Sequence, residues 1–264
     1  MNKILKTGIV VLTGIISLTG CASASSSSSS IIDKVHSSKT LVIGTEGTFA
    51  PFSYHNSSDQ LVGYDVDVIR AVAKELGYKV TFKEAKWDSL IAGLDSNKYE
   101  AVVNQVSITS ERQAKYDFSI PYTYSYPSVI TKKENTSIQS FNDIKGKKFS
   151  QTGTSNYSKI VQKYKGTIVA TNDWNENVSL VLSGRVDGTV NDSLAFYDYM
   201  NKKPDADLKI ASTSSEVSKQ AVIFNKHNSA FKKEIDKALT ALRKKGTLKT
   251  ISKKYFKKDV SVEQ

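Results

Sequence analysis

Residues 87–105 (WDSLIAGLDSNKYEAVVNQ) and 174–192 (WNENVSLVLSGRVDGTVND) align without a gap. Trp87 matches Trp174, Ser96 matches Ser183, Lys98 faces Arg185 and Glu100 faces Asp187. The copies end on Val103-Asn104-Gln105 and Val190-Asn191-Asp192. Each copy reads as a helix, a short turn and a buried strand. A chain carrying this unit twice is expected to fold as two similar α/β halves. The polar residues at the two strand ends fall just beyond the carboxyl ends of their strands, where open α/β sheets bind ligands. Two such edges facing each other would form a cleft.

The remaining pattern supports that reading. LVIGT (41–45) is a buried strand, and DVDVIRAVAKELG (65–77) is a helix with Ile69, Val72, Ala73 and Leu76 on one face and Gly77 as its stop. Residues 79–85 alternate as a strand, 107–113 (SITSERQ) form a polar loop, and 126–132 run extended. A second series has a helix near 156–164 and strands at 167–170 and 220–226. In 231–258 the residues Phe231, Ile235, Ala238, Leu239 and Leu242 mark a helical apolar stripe, with lysines on the rest. Strands and helices alternating in this way imply mainly parallel sheets with helices on both faces.

The first twenty residues stand apart. Lys3 and Lys6 precede an apolar run ending in Leu18-Thr19-Gly20-Cys21. The run is about a dozen residues, short of the ~20 a spanning helix needs, and fits a secretory signal. Its end resembles a lipobox, which makes Cys21 the expected lipidation site and the first mature residue. Cys21 is the sole cysteine, so the mature chain has no disulfide, zinc cluster or cysteine nucleophile. Residues 21–38, including the serine run, read as a tether. Removing residues 1–20 takes away two lysines and no acids, so the net charge falls from +11 to +9. The late lysines read as a solvated helix face. Nucleic acid is not an expected partner, because no aromatic and basic residues interleave.

Several segments in order resemble the family 3 solute-binding proteins of polar amino-acid ABC transporters: GTEGTFAPF (44–52), VGYDVDVIRAVAKELG (62–77), WDSLIAGL (87–94), SITSERQAKYDFSIPY (107–122), TGTS (152–155) and GTLKTISKKYF (246–256). The resemblance implies a two-lobed type II periplasmic-binding fold with two crossover strands. Lobe one would comprise 39–130 and 221–264, and lobe two 131–220, with crossings near 128–132 and 219–224. It further implies a monomer outside the cytoplasm that hands an amino acid to an ABC permease and its ATPase.

An α-amino acid carries one carboxylate and one ammonium in fixed geometry, so its site needs one cation and one anion. The resemblance places Arg112 on the carboxylate, a role suited to the bidentate guanidinium. Backbone N–H groups of Ser107, Thr154 and Ser155 would complete that anion site, the last two at a helix start. Asp192 would take the ammonium, although capping the helix that begins at Ser193 fits it too. Phe49 and Trp87 match positions that sandwich the ligand. Glu46 matches an acidic position near the ligand side chain, and Gln151 stands where some relatives carry lysine. Asn104, Gln105 and Asn191 offer amides at the strand ends.

No nucleophile elbow, HExxH pair or phosphate loop is present, and His36, His55 and His227 lie outside the motifs. A non-enzymatic receptor without metal or cofactor is therefore expected. NQVSITSERQAKYDFS (104–119) and TVNDSLAFYDY (189–199) resemble the cystine-binding branch, which favours L-cystine over glutamine or another polar amino acid. Adhesion to acidic polymers through the basic surface is the alternative from a different class.

Overall fold

The computed structural model describes residues 30–263, so the leader, Cys21 and most of the serine run lie outside the described residues. The description opens on helix α1 (Ile31–Ser38), where the expected tether should still continue. Ser30 and Asp33 form a reciprocal capping box. Val35 is fully buried, and Lys34 Nζ lies 2.5 Å from Glu100 Oε1. Ile31 and Ile32 pack with Val35 against the core, which docks this helix on it.

The first sheet has the spatial order Lys79–Glu84, Thr40–Thr45, Ala101–Val102, Ile223–Asn225 and Tyr116–Phe118. Its first three strands are parallel, and Ile223–Asn225 runs antiparallel to both neighbours. Helices α2 (Tyr64–Leu76) and α3 (Trp87–Asp95) make the crossovers. Ile69, Val72 and Ala73 of α2 are buried as the periodicity requires, and Gly77 ends the helix in a left-handed turn at φ 73°. The segment expected as a polar loop contains helix α4 (Ser110–Lys115), whose start is capped by the Thr109 hydroxyl accepting from Arg112 N–H at 3.2 Å.

The second sheet repeats the plan in the order Thr167–Thr171, Lys148–Thr152, Gly188–Asp192, Pro127–Thr131 and Lys209–Thr213. Its parallel strands are linked by α5 (Asn156–Lys163) and α6 (Trp174–Leu182), and α7 (Ser193–Lys202) follows the echo strand. The echo is therefore a repeat of topology, and its matched acids do matched work. Glu100 Oε2 accepts from Val42 N–H and Asp187 Oδ2 from Lys148 N–H, both at 2.7 Å, each tying the echo turn to the parallel strand beside its own.

Ser218–Gln220 pairs antiparallel with Thr123–Ser125, and this pair links the two sheets. Residues 128–132 were the expected first crossing. Instead Pro127–Thr131 is an inner strand of the second sheet, held on both sides by Gly188–Asp192 and Lys209–Thr213. The first crossing therefore lies upstream, at Thr123–Ser125. The chain closes with α8 (Ser229–Lys244) and α9 (Thr247–Phe256) packed on α2. Phe231, Ile235, Ala238, Leu239 and Leu242 of α8 are buried, while Lys233, Lys237 and Lys244 are exposed. Among the described residues no helix is long and apolar enough to cross a membrane.

Candidate functional site

Both echo strands end at one cavity between the lobes. Lobe one contributes Glu46, Phe49, Trp87, Asn104 and Gln105. Lobe two contributes Ser155, Asn191 and Asp192, together with Tyr157, Asp173, Trp174 and Asn177. The cavity measures about 50 Å³, well below the roughly 300–1,000 Å³ usual for small-molecule sites, so the lobes as they stand leave it nearly shut. Trp87 and Trp174, equivalent in the echo, form walls from opposite lobes.

The lobes touch across the cleft. Asp88 at the start of α3 accepts from the Thr154 N–H (2.9 Å) and hydroxyl (2.6 Å) ahead of α5. Lys86 Nζ donates to Asn172 Oδ1 at 3.1 Å, and Asn175 Nδ2 donates to the Thr48 carbonyl at 3.3 Å.

Asp192 is buried at the carboxyl end of its strand and caps α7, its Oδ1 accepting from Leu194 N–H at 2.8 Å. Its Oδ2 accepts from the Ser125 hydroxyl. Burial raises its pKa to about 6 against the opposing effect of these hydrogen bonds. The capping role and a place in the cavity thus belong to the same carboxylate. Burial likewise raises Glu46 to about 7, with Asp173 and Asp88 adding repulsion.

Arg112 does not line this cavity. It lies with Ser107 and Thr154 along an adjoining groove, its guanidinium 5.2 Å from the Trp87 ring centroid and its Nη1 donating to the Ser107 carbonyl at 3.0 Å. Burial lowers its pKa to about 10 against the opposing effect of Tyr157, Glu111 and Tyr116.

The amides differ from expectation because neighbours use them. Asn104 Oδ1 accepts from Thr45, Ser53 and the Glu46 N–H, and its Nδ2 donates to Glu46 Oε2 at 2.6 Å. Gln105 has φ 50°, uncommon for a residue other than glycine, and is clamped there by two bonds to buried Asp65, from its N–H (2.7 Å) and Nε2 (2.6 Å). Gln151 is outside the cavity, donating to Val190 O and Thr189 Oγ1 within the second sheet. The Thr154 N–H is taken by Asp88, and the Ser155 hydroxyl caps α5. The Asn191 oxygen accepts from Asp192 N–H at 2.7 Å. Two buried cavity atoms, Trp87 Nε1 and Gln105 Oε1, have no hydrogen-bond partner among the described residues. Tyr122 Oη, away from the cavity, is likewise without a partner among the described residues, although buried polar atoms are rarely left so.

Sequence reasoning missed Tyr157, Asp173, Trp174 and Asn177. The echo carried the signal for Trp174, the partner of Trp87; nothing local marked the others. Among the described residues no cluster of His, Cys, Asp and Glu could hold a metal ion.

The chain matches the model for bacterial extracellular solute-binding proteins, family 3, over residues 41–258. It is 43% identical over 222 residues to the L-cystine-binding protein TcyA of Bacillus subtilis, covering 84% of this chain and 82% of the relative. The L-cystine solute receptor of Neisseria gonorrhoeae, in its unliganded open conformation, is similar with a TM-score of 0.61 at 39% identity, covering 89% of this chain and 100% of that one. An ancestral arginine-binding protein bound to arginine reaches 0.78 at 35% identity, covering 83% and 98%. The better overlap with the ligand-bound protein, despite lower identity, agrees with lobes that meet across the rim. The chain belongs to the bacterial extracellular solute-binding proteins, family 3, and has their two-lobed α/β fold.

Proposed function

We propose that this chain is an amino-acid receptor of an ABC importer that captures L-cystine and presents it to the permease. The observation that carries the reading is a pair of buried carboxyls, Glu46 from one lobe and Asp192 from the other, lining one cavity with Trp87, Trp174 and Phe49. Cystine carries two ammonium groups separated by a disulfide. Asp192 and Glu46 take one each, and the sulfurs lie on the aromatic walls, a contact of about 0.3–1.5 kcal/mol per ring. Arg112 takes a carboxylate, approached from the groove beside Trp87. Glu46, Phe49, Trp87, Ser155, Asn191 and Asp192 are the proposed contacts. Asn104 and Gln105 act by holding Glu46 and the strand end. The likeness to two cystine-binding proteins supports the choice. Calorimetry with L-cystine should give saturable binding that a reductant abolishes or weakens. The mature chain has no disulfide for the reductant to break.

A second reading is a basic amino acid. Asp173 beside Glu46 makes that end of the cavity acidic, which suits a guanidinium. Arginine or glutamine binding at least tenfold tighter than cystine would replace the cystine assignment and leave the family unaffected.

We also propose that Cys21 anchors the chain by lipid at the outer face of the membrane, as a monomer on the tether 22–30. Two acyl chains hold a protein stably where one is marginal. Cys21→Ser should release the protein into the medium; retention on washed cells would point to attachment by charge, as an adhesin.

A further inference from the structure

The positive charge of this chain is concentrated in its last helices. Residues 229–264 carry eleven Lys and Arg against four Asp and Glu, a net +7, whereas residues 131–220 carry thirteen against ten, a net +3. On α8, Lys233, Lys237 and Lys244 are exposed and share the helix face opposite its buried apolar stripe. Both acids of α8 are committed elsewhere. Glu234 Oε1 lies 2.6 Å from His36 Nε2, and its Oε2 accepts from the Tyr78 hydroxyl at 3.0 Å. Asp236 accepts from the Ile120 N–H at 2.7 Å and pairs with Lys232. The outward face of α8 is thus lined with lysine over about 16 Å. That face lies beside the point where the chain leaves toward Cys21. Helix α1 packs on α8, with His36 against Glu234. Eight residues, 22–29, separate Cys21 from Ser30 ahead of α1, a span of about 30 Å at full extension.

We propose that the lysine face of α8 rests on anionic lipid headgroups, so that lobe one lies against the membrane that holds Cys21. This rests on reading Cys21 as the lipid anchor. Attraction to a charged surface acts within a Debye length, about 8 Å at physiological salt. An anchor at Cys21 confines α8 to a thin shell above the surface, where that attraction is met repeatedly. Each lysine held there is worth about fivefold in partitioning, so three give about a hundredfold. That is too weak to retain a protein through washing and strong enough to orient one already held. None of the residues lining the cavity belongs to α1, α8 or α9, so the contact covers none of them. Lobe two, without this concentration of charge, is the half left to move against a lobe fixed on the membrane.

The test couples the chain without its leader, through its sole cysteine Cys21, to a maleimide lipid in vesicles. The vesicles are either an equal mixture of phosphatidylglycerol and phosphatidylcholine or phosphatidylcholine alone. Lysine acetylation read by mass spectrometry should slow at Lys233, Lys237 and Lys244 on the anionic vesicles only. The exposed Lys145, Lys148 and Lys165, on the second sheet and its loops, should label alike on both. The uncoupled Cys21→Ser chain should also sediment with anionic vesicles at low salt. Changing Lys233, Lys237 and Lys244 together to glutamine, which preserves helix propensity, should lower that partitioning about a hundredfold. The same change at Lys145, Lys148 and Lys165 should cost about threefold at most. Equal labelling of the α8 lysines on both kinds of vesicle, or equal loss in the two triple variants, overturns the proposal. Tighter binding to soluble polyglutamate than to anionic vesicles also overturns it and assigns the face to acidic polymers. Because the coupling supplies the anchor chemically, these readouts stand even if Cys21 carries no lipid on cells, which the Cys21→Ser release experiment decides separately.

Discussion

Asp192 caps α7 and lines the cavity, and substitutions can separate the cap from the proposed hold on a ligand's ammonium. Asparagine caps helices as well as aspartate. Asp192→Asn should therefore keep stability close to wild type while losing roughly 30-fold to several thousand-fold in affinity, the cost of an unpaired buried ammonium. Asp192→Ala should lose the same affinity and a further ~1 kcal/mol of stability in denaturant titration. Arg112→Ala should weaken binding to a similar degree with the fold intact, and near-normal calorimetric affinity would remove it from the clamp. The raised carboxyls give pH dependences of opposite sign. Burial lifts Glu46 and Asp65 to about 7 and Asp192 to about 6. Between about pH 4 and 7 the folded chain holds protons that the unfolded chain has released, so the free protein becomes more stable as pH falls through that window. On the proposed function ligand binding needs Asp192 ionised, so affinity should fall as pH drops through about 6. A melting series and a calorimetric series from pH 7.5 to 5 should therefore run in opposite directions.

At the scale of elements, α1 and the rim contact set expectations that the tether and loop readings did not. Val35 of α1 is fully buried, and its side chain belongs to the core shared with α8. Val35→Ala should cost about 1–2 kcal/mol in chemical denaturation, which a substitution in a tether would not. The start of α3 meets the start of α5 through Asp88 and Thr154. Charge-assisted bonds at a rim favour the closed arrangement, and ligand affinity scales with the population of that arrangement. Asp88→Ala should weaken binding about 3- to 30-fold without altering the melting temperature of the free protein by more than a few degrees.

At the scale of the whole molecule, the site exists only when both lobes contribute to it. Glu46 comes from one lobe and Asp192 from the other, so on the proposed function contacts to both would be complete only in the closed form, and ligand would shift the population toward closure. A ligand at one hundred times its Kd should add about 2.7 kcal/mol of stability, visible as a raised melting temperature in a screen of amino acids. The strand pair Thr123–Ser125 and Ser218–Gln220 links the lobes, and the Ser125 hydroxyl donates to Asp192, which ties this pair to the proposed ammonium site.

The sequence by itself determined the two α/β halves, because the echo 87–105 and 174–192 repeats the spacing of helix, turn and strand that local periodicity dictates. It also determined the buried face of α8 and the stop at Gly77, whereas the meeting of both strand ends at one cavity was only one arrangement that it allowed. Only the tertiary structure decided which polar side chains remain available there. A buried amide or carboxylate must find hydrogen-bond partners, and those partners come from remote parts of the chain. Asn104 is consumed by Thr45, Glu46 and Ser53, Gln105 by Asp65, Gln151 by Val190 and Thr154 by Asp88. Tyr157 and Asp173 reach the cavity from helix starts whose direction is set by how the second sheet packs, and no spacing along the chain records that direction.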